Sequence, residues 1–324
     1  MNQNRRNLLA LAASAAASPL LFAAEGGFPT KAIKIVVPFS AGALTDIIAR
    51  IYAAQLSPML GQPVIVENKP GAGGVTASQL VLNAPADGHT LLFVSSAHAA
   101  NPALRKNLPY RTEKDFAGLA LLATSPSLVI VPETHPARTL EDLIQAGKQR
   151  PGSLTYGSAG VGSATHLAGE YFRSEAKLQM VHVPYKGVQE AVTGVVAGQL
   201  DLAFPPIALA LPMLKAGRVR ALAVTSPTRI QAMPDLPTVA EKGFPGYDSS
   251  IWYALVASAA TPKPAMDRLA QNVLRISAMP EVADKLRSQG LILEKLTLAQ
   301  FDAFIETDIR KLAGLVRNSG IQPE

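Results

Sequence analysis

Short apolar runs alternate with stretches of helical spacing along most of this chain. "AIKIVVPF", "PVIVEN", "HTLLFVSS" and "SLVIVP" have strand length, and so do "MVHVPY", "LDLAFPP" and "RALAVTS" further on. Between the first two, apolar positions at Ile47, Ile48, Ile51, Ala54 and Leu60 predict a helix that Gly61 closes. Similar spacing predicts helices over 140–149, 164–173, 263–278, 281–289 and 298–318. Strands alternating with helices imply βαβ units and mainly parallel sheets.

The order strand, small-residue loop, helix occurs twice, once from Ile33 and once from Leu154. Two α/β lobes around a cleft are therefore expected. Ligands of open α/β sheets bind beyond the carboxyl ends of the strands. That rule directs attention to four loops: Phe39–Asp46, Ser95–Asn101, Gly157–His166 and Phe204–Ala208.

Composition narrows the chemistry. The chain has 324 residues, 48% hydrophobic and 17% charged, enough for a substantial core. It has no cysteine, which excludes thiol nucleophiles, CxxC redox chemistry and thiolate-bound metals. Arg5 and Arg6 precede an apolar stretch from Leu8 to Phe22, with Ala23 and Ala24 after it. This is the pattern of an export leader over 1–24, either twin-arginine-like or of the general secretory type. The net charge of +6 is spread along the chain with no basic, aromatic-rich cluster, so nucleic acid is not an expected partner.

Catalytic and metal motifs are missing. Ser158 and Ser163 stand in a strand-to-helix loop, but Tyr156 and Val161 precede them where G-x-S-x-G requires glycine. The five histidines lack HxxxH or HExxH spacing, and no P-loop occurs. "GAGG" (71–74) reads as a turn before a helix rather than a dinucleotide loop. No metal or cofactor is expected.

Two helix starts preceded by small residues remain. Orphan N–H groups and the positive end of the helix dipole attract anions. The candidate contacts in the first loop are Phe39, Ser40, Ala41, Gly42, Ala43, Thr45 and Asp46. Their counterparts in the second are Ser158, Ala159, Gly160, Ser163, Thr165 and His166. Ser95, Ala97 and Phe204 complete the candidate site, with His98 as a further loop candidate. The two loops contain no Lys or Arg, so amides and hydroxyls rather than nearby cations such as Lys69 or Lys186 are expected to meet a carboxylate. Asp46 would repel that ligand unless turned aside to brace the first helical turn, and it could bind an ammonium group if it faced one.

The same stretches carry a resemblance. "IVVPFSAGALTDIIAR", "VENKPGAGG", "ADGHTLLF", "YGSAGVGSATHLAGE", "HVPYKG", "GQLDLAF", "ALAVTSPTR" and "PDLPTVAEKGFPGY" occur in order over nearly the whole chain beyond the leader. They resemble the substrate-binding proteins of tripartite tricarboxylate transporters, the Bug family of bacterial periplasmic receptors. The resemblance implies a type II periplasmic binding protein fold, a two-lobed "Venus flytrap". It implies a discontinuous first lobe (25–124 and 246–324), a second lobe (125–245) and a monomer without enzymatic activity. Its ligand would be a small carboxylate, held at the two loops and delivered to membrane transporter subunits or a sensor. One departure is Ala43, where the family usually has a second glycine. Ala does not take positive φ freely, so an ordinary backbone or an altered loop is expected there. The competing readings are an exported α/β hydrolase, with Ser158 or Ser163 as nucleophile and His166 as base, and a scaffold without ligand.

Overall fold

The computed structural model describes residues 27–319 and 321–323, and the expected leader lies outside the described residues. Among the described residues eleven strands form two sheets. In the first, β1 (Ile33–Val37) lies between β2 (Val64–Asn68) and β3 (Thr90–Ser95), parallel to both. β10 (Ile251–Ser258) then runs antiparallel between β3 and β4 (Phe116–Ser125), and β11 (Ile292–Leu293) ends the sheet beside β4.

The second sheet holds β5 (Leu128–Pro132), β6 (Leu154–Ser158), β7 (Met180–Pro184), β8 (Leu202–Ala203) and β9 (Val219–Val224). Its order is β7-β6-β8-β5-β9. β6 is parallel to β7 and β8, while β5 is antiparallel to β8 and β9. Each sheet is thus parallel over three strands joined by two helical crossovers and antiparallel beyond them, less uniformly parallel than the alternation implies. The chain architecture is two-lobed α/β.

Helices cover both faces of each sheet. On the first, α1 (Leu44–Leu60) and α9 (Lys263–Ser277) bury Ile48, Tyr52, Leu56, Leu269 and Val273 against Ile35 and Leu91. The other face carries α2 (Val75–Leu82), α3 (Ser96–Leu104) and α11 (Ala299–Ser319), with Phe301 and Ile305 against Trp252. On the second sheet, α5 (Leu140–Gln149) and α6 (Ala164–Glu175) pack over Tyr156 and Phe204. α7 (Val188–Val196) and α8 (Ile207–Lys215) pack over Leu128 and Val224. Each such large apolar side chain contributes about 1.5–3 kcal/mol when fully buried. Short helices α4 (Thr112–Asp115) and α10 (Pro280–Ser288) complete the α-helices among the described residues.

Two segments cross between the sheets, one between β4 and β5 and one leading into β10, and both are tied to Thr225 at the end of β9. Thr225 Oγ1 accepts from Ser127 N at 2.8 Å and donates to Ser249 O at 3.2 Å. Its backbone N–H donates to Ser127 O at 2.9 Å, and its carbonyl accepts from Ser249 N at 3.0 Å.

Two long strands, β4 and β10, are not evident from periodicity. Both are buried along nearly their full length, so they show no polar alternation. The expected loop Ser95–Asn101 is instead the start of α3, and Phe204–Ala208 runs from a buried core position into α8.

Gly169 sets how closely α6 lies on β6. A Cβ added there would stand 2.2 Å from Tyr156 Cε2. The wholly buried Tyr156 ring is held by its hydroxyl, which donates to Glu170 Oε1 at 2.6 Å, so it has little room to retreat. Gly169→Ala is expected to destabilise the protein by about 1–3 kcal/mol despite alanine's better helix propensity. A urea midpoint shift at constant slope measures this; an unchanged midpoint would mean that the helix can slide outward freely.

Candidate functional site

The two strand-to-helix junctions have one geometry. Ala43 precedes α1 and Ser163 precedes α6, each at φ −67°, ψ 158°. The glycines before them take left-handed φ, 82° at Gly42 and 75° at Gly162. Ala43 N donates to Ser40 O at 3.2 Å, and Ser163 N to Gly160 O at 3.2 Å. Ala43 therefore fits its position without strain, because the left-handed turn falls one residue earlier. The missing second glycine does not distort the loop.

Each glycine N–H is then taken by a side chain four residues on. Gly42 N donates to Asp46 Oδ2 at 2.9 Å, and Gly162 N to His166 Nδ1 at 3.0 Å. The expectation that Gly42 offers its amide to a ligand is corrected here, since that donor is engaged inside the loop. Asp46 also accepts from Arg50 Nε and, through Oδ1, from Asn68 Nδ2, each at 3.0 Å. Burial raises the Asp46 carboxyl, but the bonds from Arg50, Gly42 and Asn68 outweigh it and hold it below the ordinary range. Asp46 is the turned-aside brace.

The second lobe uses imidazoles instead. His166 stacks on His182, with ring centroids 3.9 Å apart, and on Tyr156 at 6.3 Å. Accepting from Gly162 requires Nδ1 to be unprotonated, which places the His166 proton on Nε2. Burial, and secondly the neighbouring His182, lower His166 to about 4. The hydrolase arrangement does not form around this residue. Ser163 Oγ caps α6, accepting from His166 N, while Ser158 is wholly buried with its Oγ 2.6 Å from His182 Nε2.

The helix starts differ in one respect. Ser163 caps α6, but Ala43 has no side-chain acceptor, so no side chain caps α1. The first N–H groups of α1 have no partner within the helix. Thr165 Oγ1 accepts from Ala159 N at 3.0 Å, whereas Thr45 Oγ1 is buried without a hydrogen-bond partner among the described residues. Thr45 is 5% exposed and lines the space between the lobes.

That space is a cleft of about 500 Å³. The first lobe contributes Phe39, Ala43, Leu44, Thr45, Ser95 and Ala97, and also Gly73, Asn101, Leu104 and Arg105. The second contributes Val161, Gly162, Ser163, Ala164, Val188 and Pro206. Ile251 and Tyr253 of β10 and the C-terminal Ile321 and Gln322 complete the lining. Of the residues singled out in the sequence, Ser40, Ala41, Gly42 and Asp46 lie outside this lining, as do Ser158, Ala159, Gly160, Thr165, His166 and Phe204. Phe204 is a core residue of the second lobe, and His98 is wholly buried beside Tyr110 and Phe116. Leu104 and Arg105 lie beyond the expected loop, because α3 continues past Asn101 to Leu104. Ala97, Asn101 and Leu104 follow the i, i+4, i+7 spacing of one helical face, and Arg105 follows as the C-cap. Among the described residues no cluster of His, Asp and Glu suits a metal ion, and no helix is long and apolar enough to cross a membrane.

The His166 brace makes stability depend on pH in a defined direction. The unfolded chain binds this proton near pH 6.5 and the folded chain at about 4, so the stability contributed by neutral His166 is present above 6.5. It is lost progressively as pH falls toward 4. Asn at this position keeps an acceptor for Gly162 but does not titrate. Between pH 7.5 and 4.5 the natural protein should lose about 2 kcal/mol more than His166→Asn, by urea denaturation at both pH values. Parallel losses in the two proteins would show that His166 does not carry the effect.

Comparison with known proteins completes the picture. A UPF0065 protein from Pseudomonas sp. strain P51, encoded in a tcbD-tcbE intergenic region, is 37% identical over 265 residues, covering 82% of this chain and 79% of the relative. An R. palustris protein solved with adipate superposes with a TM-score of 0.80 at 31% identity, over 92% of this chain and all of that one. MatC from Rhodopseudomonas palustris, solved with bound malate, gives 0.76 at 31% identity over 89% and 100%. The model of the tripartite tricarboxylate transporter family receptor matches residues 48–321, so with two lobes, paired helix starts and a cleft between them, this chain belongs to that receptor family.

Proposed function

We propose that the protein is a periplasmic solute receptor that captures a small carboxylate between its lobes and delivers it to membrane transporter subunits. The observation that carries this reading is Thr45: a buried hydroxyl without a partner, opening on the cleft beside an uncapped helix start. A carboxylate oxygen would satisfy the hydroxyl and the first amides of α1 together, with the helix dipole in its favour. Ser163 and the α6 start face it from the second lobe. The adipate and malate bound by related structures are acids of this class.

In this reading 25–124 with 246–324 forms one lobe and 125–245 the other, and the two crossing segments tied at Thr225 let them move about a fixed seam. The receptor works without catalysis or cofactor. Ser40, Ala41, Gly42, Asp46, Ser158, Ala159, Gly160, Thr165 and His166 shape the loops, while Phe39, Ala43, Thr45, Ser95, Ala97 and Ser163 meet the ligand.

A thermal-shift screen against organic acids and amino acids tests the function, because a ligand that binds the folded state raises its melting temperature by mass action. At least one carboxylate should do so; a flat screen across the panel would sink the receptor reading. The site itself is tested with the best acid found. Hydrogen bonds to charged groups contribute about 1.5–3 kcal/mol, so Thr45→Val should weaken binding by about 10- to 100-fold. Lys69→Ala should change it little, because Lys69 pairs with Glu67 at 2.8 Å. Titration calorimetry giving the reverse order would place the charge recognition on lysine.

A further inference from the structure

The walls of the cleft say what the rest of the ligand must be. We infer that this receptor takes a carboxylate on an apolar body, aromatic or aliphatic, in preference to a hydroxylated di- or tricarboxylate. The inference rests on the proposed carboxylate site and concerns the part of the ligand that leaves it.

Away from Thr45 the cleft is faced by Leu44 and Leu104 from one lobe and by Val161, Val188 and Pro206 from the other, with Ile251 at its floor. Val161 is the telling residue. It stands at the tip of the second loop, 59% exposed, where Ala41 stands in the matching position of the first. A loop tip has no packing need for a branched apolar side chain, and here it projects beside Val188 into the ligand space. Leu104 comes close from the other lobe: a Cβ on Gly162 would lie 3.2 Å from its Cδ1. The two lobes therefore meet apolar to apolar around whatever sits between them.

Several polar groups near these apolar residues are already engaged. The Asn101 amide donates to Gly73 O at 3.2 Å and to Tyr110 Oη at 3.3 Å. Ser163 Oγ accepts the cap bond from His166 N and lies 3.2 Å from Thr165 Oγ1. Arg105 has a partner of its own. A ligand hydroxyl placed against Val161, Val188 or Leu104 would give up water without gaining a partner, and leaving a polar group unpaired costs more than the bond is worth in solution. A methylene or ring edge placed there gains by leaving water.

Titration calorimetry of the full chain with hexanoate, benzoate and adipate, against malate and citrate, tests the preference. The uncharged control is benzyl alcohol. At least one acid of the first group should bind ten or more times tighter than both hydroxy acids. Malate or citrate binding as tightly as the best apolar acid would overturn this inference and leave the carboxylate receptor standing. Benzyl alcohol binding as well as benzoate, or no acid binding at all, would instead overturn the carboxylate site on which it rests. Val161→Asn should leave the ligand-free melting temperature unchanged, since the side chain is exposed. It should weaken the best apolar acid at least fivefold without weakening malate, and an equal effect on both acids would remove Val161 as the seat of the preference.

Discussion

Everything the cleft presents depends on two glycine N–H groups being satisfied inside their own loops. A strand that turns into a helix through a left-handed glycine leaves that glycine's donor pointing into the turn. In both lobes the acceptor is a side chain from the first turn of the following helix, Asp46 or His166. Once this bond is made, the residues after the glycine are fixed and the helix axis is aimed at the cleft. The bond is the same in both lobes, but the chemistry behind it differs. A carboxylate held by Arg50 and Asn68 tolerates acid and base over a wide range, while a stack of two imidazoles does not.

This shared junction explains why part of the molecule was legible in the sequence. Small residues followed by helical spacing at 40–47 and 158–167 mark both helix starts, and Gly61, with φ 68°, marks the end of α1. The α5 boundaries are readable because Thr139 and Asp142 form a reciprocal capping box. Other features leave no local mark. β4 and β10 are buried on both sides and lack the alternation that identifies a strand. The lining residues Val188, Pro206 and Tyr253 reach the cleft only through the arrangement of two sheets, and no short-range pattern records that. The α3 face was hidden for a different reason: Asn101-Pro102 and the small residues around them look like a loop, yet the proline is tolerated near the helix end.

The difference between the caps divides the labour between the lobes. Where Ser163 occupies the α6 start, the loop is complete in itself and behaves as a wall. Where Ala43 leaves the α1 start uncapped and Thr45 unpaired, the loop is left with groups that nothing within it satisfies. Replacing a serine cap by alanine costs about 0.5–2 kcal/mol in an ordinary helix. The first lobe carries such an incomplete end where α1 opens on the cleft.

The position of β10 has a consequence for how the chain is made. It is the central strand that joins β3 to β4, yet it follows them only after the whole second sheet. During synthesis β1 to β4 are released with the slot between β3 and β4 unfilled. Everything between Ser125 and Ile251 must follow before the missing strand appears. A sheet closed by so distant a segment folds slowly, since the entropy of a long loop is lost before its pairing is gained. The first lobe thus cannot complete its sheet until β10 has been made, although β1, β2 and β3 can pair before it.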